Sequence, residues 1–414
     1  MIWGGHISGE SRKNKKKDMK TYLVNKTGAI VEYVAHPTEI RKLIRAGEYR
    51  RARASERVAF LEEKEEFLRN ERHPGMYDVL YVAPRQGTVD GYGVVQDALT
   101  RFFVENGVFL NTFDRGQKVV LVHNYPHHLK PYRERDVLLY TMFETTKFPD
   151  DWGELFRMSK KVFFPAKFLQ DIADRQFGIK SEVIPHGIAV GNFPFLLRNR
   201  GKNDTFTFLH YDAFKYRKGW DIVLNAFDDE FTESENVRLI FKTTYDAPPI
   251  TLKAYENVSV ICGKVSVLEM RKILSEADCF VFPTRGEGFG MTPLEALASG
   301  MPAIVPDAFG VSEYFDSRYC MGVDTILEKA RYDNIELKKS GDLGYFKTPT
   351  IQSVRMAMRE AFERWKVGNW ATQKEEESRE ISEYAKKFSL EAFAGEMSKR
   401  VKEHCRSVGV EPEK

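Results

Sequence analysis

From Tyr77 onward, short apolar runs alternate with helix-like stretches, and the alternation happens twice. The first set is YDVLYVAP (77–84), GVFLNTF, KVVLVHN, DVLLYTMF, KKVFFPA and SEVIPHGI, with a helix expected over 167–177. The second is FTFLHYDAF, VRLIFKT, VSVICG, DCFVFPT and PAIVP, with helices expected over 219–228, 266–276 and 293–299. Apolar runs this short, bounded by turn residues, suit strands buried on both faces, and helices between them supply the crossovers that parallel strands need. The pattern predicts two doubly wound, Rossmann-like α/β domains, at 76–196 and 205–370, joined by the polar stretch LRNRGKND (197–204). In the last segment, 371–414, Ile381, Tyr384, Ala385 and Phe388 recur at helical spacing. Ser389 then suits the cap of a second helix bearing Leu390, Phe393, Met397 and Val401. These helices are expected to cross back to the first domain.

The 414 residues are too many for one ordinary core. No apolar run approaches the roughly 20 residues that span a bilayer. The start, MIWGGHISGESRKNKKKDMK, lacks the apolar core of a signal peptide. Cys262, Cys279, Cys320 and Cys405 are scattered with no CxxC pair, which fits a reduced, cytoplasmic protein without structural zinc. The net charge of +3 hides an uneven distribution: residues 1–75 carry 17 Lys/Arg against 11 Asp/Glu. That segment reads as a small α+β extension: a basic disordered leader, a hairpin in TYLVNKTGAIVEYV and charged helices, ending at RHPGM (72–76). It is either a packing or oligomer appendage, or a module that captures an anionic polymer such as a glycan or modified DNA.

Ligands of doubly wound sheets bind where loops leave the carboxyl ends of strands. PTRGEGFGMTPLEALASGMP (283–302) is such a place. Gly288-Phe289-Gly290 let a phosphate approach the backbone. Thr292 suits a helix N-cap and Pro293 the first helical position, so the amides from Met291 onward form an anion site. Glu295 at the helix start can accept both hydroxyls of a ribose, and Glu287 in the loop can reach a sugar beyond a diphosphate. Thr292-x-x-Glu295 is also a capping box, which needs no ligand.

The stretch GEGFGMTPLEALASGMPAIVPDAFGVSEYF resembles the Glu-x7-Glu region of retaining GT-B glycosyltransferases of family 4. FTFLHYDAFKYRKGWDIVLNAF, VSVLEMRKILSEADCFVFPT, TMFETTKFPDDW, VFFPAKFLQDI and VIPHGI agree in order, so the resemblance covers about residues 77–405. It implies that Glu295 holds the nucleotide ribose, Glu287 the donor sugar's hydroxyls, and that Lys218 neutralises the diphosphate. Gly91 and Gly93 match a loop against the phosphates, and His123 a histidine near the donor sugar; the plain readings are a turn and a structural histidine. The family's usual arginine before the lysine is missing in Tyr211-Asp212-Ala213, and Arg217 or Lys215 is the available substitute. Glu144 is a further residue within reach of an acceptor.

The implied reaction moves a hexosyl group from a nucleotide-diphosphate sugar, UDP-sugar favoured over GDP-sugar, to an acceptor hydroxyl with retention. No metal and no further cofactor are expected, because no Asp-x-Asp site is found and the cations and helix amides supply the charge. The HNYPHH stretch lacks companion carboxylates or cysteines at ligand spacing. The alternatives are a nucleotide-sugar epimerase on the same fold and a non-catalytic sugar- or nucleic-acid-binding protein.

Overall fold

The computed structural model describes residues 74–83, 99–112, 114–198, 204–244, 256–332 and 341–413, with the backbone of three short strands nearer the N-terminus. The expected basic leader, the helices before 73, and the 86–93 loop with Gly91 and Gly93 lie outside the described residues. The chain forms two compact units, Met1–His73 and Pro74–Lys414. In the first, β1 (Met19–Asn25) pairs antiparallel with β2 (Ile30–Ala35), which is the hairpin the Lys-Thr-Gly turn implies. Tyr49–Arg51 was expected within a charged helix and is instead β3, paired to the other edge of β1. Gly75, assigned by sequence to the extension, belongs to the second unit, where its amide bonds the Glu413 carbonyl at 2.7 Å.

The second unit contains both doubly wound sheets. The first comprises β4 (Tyr77–Val82), β5 (Val108–Asn111), β6 (Val119–His123), β7 (Asp136–Tyr140), β8 (Lys161–Phe164) and β9 (Glu182–Val183), with α1 (Trp152–Met158) and α2 (Lys167–Phe177). Its order is β5-β4-β6-β7-β8-β9, all parallel. Val119–His123 is buried at every position, as a central parallel strand must be.

The second sheet comprises β10 (Phe206–Tyr211), β11 (Val237–Lys242), β12 (Val258–Ile261), β13 (Cys279–Val281), β14 (Ala303–Val305) and β15 (Cys320–Gly322). Its order, β12-β11-β10-β13-β14-β15, is again wholly parallel and reverses between β10 and β13. The covering helices are α3 (Trp220–Glu230), α4 (Val267–Ser275), α5 (Met291–Ala298) and α6 (Ile351–Lys366). The architecture is GT-B: two Rossmann-like domains.

Three features differ from or extend the sequence reading. The stretch taken as a linker is anchored where it is described: buried Arg198 donates to the carbonyls of Leu274, Ala277 and Ser299, at the ends of α4 and α5. A two-stranded antiparallel hairpin, β16 (Thr325–Lys329) and β17 (Tyr345–Pro349), leaves the second domain, and Leu343 and Tyr332 beside it pack into the first domain's core. After α7 (Glu375–Ala385), Ser389 caps α8 (Leu390–Ser407) by accepting from the Ala392 amide at 3.1 Å. Leu390, Phe393, Met397 and Val401 of α8 are buried against β4, β5 and β6, so the chain ends on the domain where the first sheet began.

Candidate active site

The reversal between β10 and β13 opens a crevice at their carboxyl ends. β10 ends in Tyr211 and leads into Asp212. The next turn, Tyr216–Lys218, carries Arg217 and Lys218. The loop after β13 carries Thr284 and Glu287, and α5 carries Glu295. Gly219 closes the cationic turn at φ 75°, and a Cβ there would stand 2.1 Å from the Pro283 carbonyl oxygen. The Lys-Gly pair is thus a packing requirement: only glycine lets this turn rest on the β13 loop. A Cβ on Gly286 would stand 2.0 Å from the Glu144 carbonyl oxygen, and one on Gly288 2.8 Å from Met142, so the same loop lies directly against the first domain.

The charged groups partner one another. The Lys218 ammonium lies 2.8 Å from both Asp212 Oδ2 and Glu287 Oε1. Arg217 Nη1 donates to Glu287 Oε1 at 2.8 Å, while its Nη2 lies 3.5 Å from Glu144 Oε1. Thr284 Oγ1 adds a donor to Glu287 at 3.3 Å. Burial works against the charge on Lys218, but Asp212 and Glu287 outweigh it and raise the pKa. The same contest on Arg217 is decided upward by Glu287 and Glu144. Both cations are therefore firmly protonated.

Glu295 behaves differently. Burial pushes its carboxyl up to about 7, assisted by Asp212 and opposed by Tyr211 and Lys218. The Tyr211 hydroxyl donates to Glu295 Oε2. The capping box is not formed. α5 begins at Met291, after Gly290 in the left-handed conformation at φ 87°, with no side-chain cap. The Thr292 hydroxyl has no hydrogen-bond partner, because it already lies inside the helix. Pro293 has no N–H, so the amides available at this end are those of Met291 and Thr292.

Phe289 is buried between Tyr314 and His186, with ring centroids 5.6 and 6.0 Å away. His123 is not part of the charged cluster. It sits at the end of β6 among aromatic rings, with Nδ1 2.9 Å from the Tyr81 hydroxyl and its ring edge-on to Tyr140. Burial, then the neighbouring His186, holds its pKa well below the usual value, so it is neutral. The His186 ring, which also neighbours Phe289, lies 5.7 Å from that of His123.

Tyr211, Asp212 and Thr284 were missed as site residues, although the strand-end rule that selects 286–290 also selects 211–212. Glu144 is fixed between Arg217 and the Tyr332 hydroxyl, 3.1 Å away. Among the described residues no three His, Cys, Asp or Glu side chains gather as a metal site. No helix among them is long and apolar enough to cross a membrane.

Residues 205–329 match the family model described as glycosyl transferases group 1. The matched stretch, which lies in the second Rossmann-like domain of this GT-B fold, is thus similar to group 1 glycosyl transferases. The alpha-monoglucosyldiacylglycerol synthase of Streptococcus pneumoniae is 27% identical over 163 residues, 34% of this chain and 36% of the relative. The lipopolysaccharide core biosynthesis mannosyltransferase LpsB of Rhizobium meliloti is 56% identical over 36 residues, 9% of this chain and 10% of its own. The chain thus spans well under half the length of these curated relatives. Among solved structures, a sucrose-phosphate synthase from Thermosynechococcus elongatus superposes with a TM-score of 0.57 at 12% identity, over 80% of this chain and 100% of its own. The Anabaena protein HepE, solved with UDP and glucose, gives 0.55 at 12% identity, over 79% and 100%. Both share the two-domain fold.

Proposed function

We propose that the protein transfers a sugar from a nucleotide-diphosphate sugar to an acceptor hydroxyl and keeps the anomeric configuration. One observation carries the reading: two protonated cations on one turn meet the buried carboxylate of Glu287 at the reversal point, beside Glu295 at the start of α5. Such a set is costly as a purely structural device, since buried ion pairs seldom repay their desolvation. It suits a ligand with a diphosphate between a ribose and a sugar.

As they stand, Arg217 and Lys218 are paired with carboxylates, so an entering diphosphate exchanges for those partners. Breaking the sugar–phosphate bond leaves the electron pair on the phosphate oxygen and an oxocarbenium-like sugar. Lys218, Arg217 and the α5 amides stabilise the developing negative charge. Glu287 orients the donor sugar's hydroxyls and Glu295 the ribose. The acceptor oxygen bonds the anomeric carbon on the face that the phosphate leaves, and its proton passes to that phosphate. Charge stabilisation then comes from the protein itself, and the reaction is metal-independent. UDP is the favoured nucleotide, a choice supported by the fold neighbour solved with UDP. Four free cysteines suit a cytoplasmic setting. The basic extension is the segment whose charge suits capture of an anionic acceptor.

The test is a thermal-shift screen of UDP-, GDP- and ADP-sugars in EDTA, followed by a hydrolysis assay with the best binder. Stabilisation by one donor and slow release of free sugar are expected. An intact but epimerised nucleotide sugar would mark an epimerase instead, and neither binding nor turnover would remove the proposal.

A further inference from the structure

The turn that carries both cations has little to hold it in place by itself. Tyr216–Lys218 is a single 3-10 turn without a side-chain cap, closed by a left-handed glycine. What fixes it is Arg285, in the loop after β13. The Arg285 side chain is 5% exposed, and its bonds run to the turn and its surroundings rather than to Glu287 or Glu295. Nη1 and Nη2 grip Asp221 of α3 bidentately, 2.7 Å each. Nη1 also donates to the Tyr216 carbonyl at 2.5 Å, and the guanidinium lies 3.6 Å from the centre of the Tyr216 ring. Nε lies 3.7 Å from Glu328, whose other oxygen accepts from the Tyr216 hydroxyl at 2.6 Å. The Arg285 amide donates to the Arg217 carbonyl at 2.7 Å, and its carbonyl accepts from the Lys347 amide of β17 at 3.1 Å.

We propose that Arg285 is a positioning residue for donor binding: it locks the Tyr216–Lys218 turn to the Glu287 loop, so that Arg217 and Lys218 face the diphosphate. The inference rests on the functional reading above and adds a residue to it. The chemistry asks for arginine. Only a planar fork can hold a carboxylate bidentately, reach a carbonyl and stack on a tyrosine ring together. Lysine keeps the charge but loses the fork and the stack, so the turn loses its fixed aim while the net charge of the site is unchanged.

The test compares UDP with uridine, by calorimetry on the 414-residue chain. Uridine does not use the cationic turn; UDP does. In Arg285→Lys, UDP affinity is expected to fall about tenfold and uridine affinity to stay within about twofold, a coupling of the size that residues without ligand contact exert. Donor hydrolysis should lose more in kcat than in KM, because misplaced groups cost about 10²-fold in turnover. Should Arg285→Lys fail to fold by circular dichroism, Asp221→Asn carries the test. Asp221 is partly exposed, and asparagine keeps one acceptor while it loses the bidentate grip and the charge in the first turn of α3. Its UDP affinity is expected to fall severalfold with uridine unchanged. A variant that folds and keeps the wild-type preference for UDP, or that weakens both ligands alike, overturns the positioning role. A wild type that binds UDP no better than uridine overturns the functional reading and this inference with it.

Discussion

Replacing Glu295 with glutamine separates the charge of this carboxyl from its shape. In the folded protein, burial raises its pKa from 4.5 to about 7. The folded state therefore holds this proton more tightly than the unfolded chain. The group's contribution to stability is fully present below 4.5 and is lost as pH rises through about 7. At about 1.36 kcal/mol per pH unit, the interval from 4.5 to about 7 amounts to about 3 kcal/mol. Part of the side chain meets solvent, which screens the interaction and brings the expectation nearer to about 2 kcal/mol. Glutamine still accepts from the Tyr211 hydroxyl and never ionises. Urea denaturation should show Glu295→Gln level with wild type near pH 4.5, and about 2 kcal/mol more stable at pH 8. Comparing the two proteins at each pH cancels the other titrating groups. The gain should come with a loss of function. Only the ionised carboxylate accepts both ribose hydroxyls, so from pH 6 to pH 8 UDP affinity should strengthen more in the wild type than in Glu295→Gln, where only the ligand's own phosphate titrates. A variant no more stable than wild type at pH 8, with both proteins binding UDP equally across that range, would refute the reasoning.

Lys218→Ala should lower turnover by about 10²-fold, the usual cost of one lost electrostatic donor, and EDTA should leave the wild type unaffected. Activity lost on chelation and restored by manganese would contradict the metal-free chemistry. Thr292→Val should change stability by less than about 0.5 kcal/mol, because the hydroxyl caps nothing; a loss of about 1 kcal/mol by denaturation would reveal a cap after all. Deleting residues 1–73 should spare donor hydrolysis, since both Rossmann-like domains lie in the other unit. Transfer to an anionic acceptor should fall, most at low salt, and normal transfer at low salt would dismiss acceptor capture.

Much of this was legible because burial forces composition. Central parallel strands such as Val119–His123 cannot carry exposed polar residues, so both sheets could be read as apolar runs. Strand ends then point to the crevice, which is how Glu287 was found. What the pattern could not carry is conformation set by neighbours. Gly290 takes a left-handed turn and starts α5 earlier than the Thr-Pro pair implies, so Thr292 falls inside the helix and Glu295 is left to Tyr211. Tyr211 comes from a strand 84 residues away, and no local periodicity announces it. The β16–β17 hairpin escaped notice because Ile326 and Leu327 are both exposed, which leaves no alternation to read. A histidine at a strand's end, His123, matched the resemblance, and no pattern in the sequence announces the aromatic rings that surround it.

The most direct test of the central claim is a proton NMR time course of UDP-sugar hydrolysis in EDTA, by wild type and by Lys218→Ala. The account predicts that the wild type releases UDP and free sugar in equal amounts. The sugar first appears in the donor's own anomeric configuration, and the variant is about 10²-fold slower. Release of the opposite anomer, or equal rates for the two proteins, would contradict it.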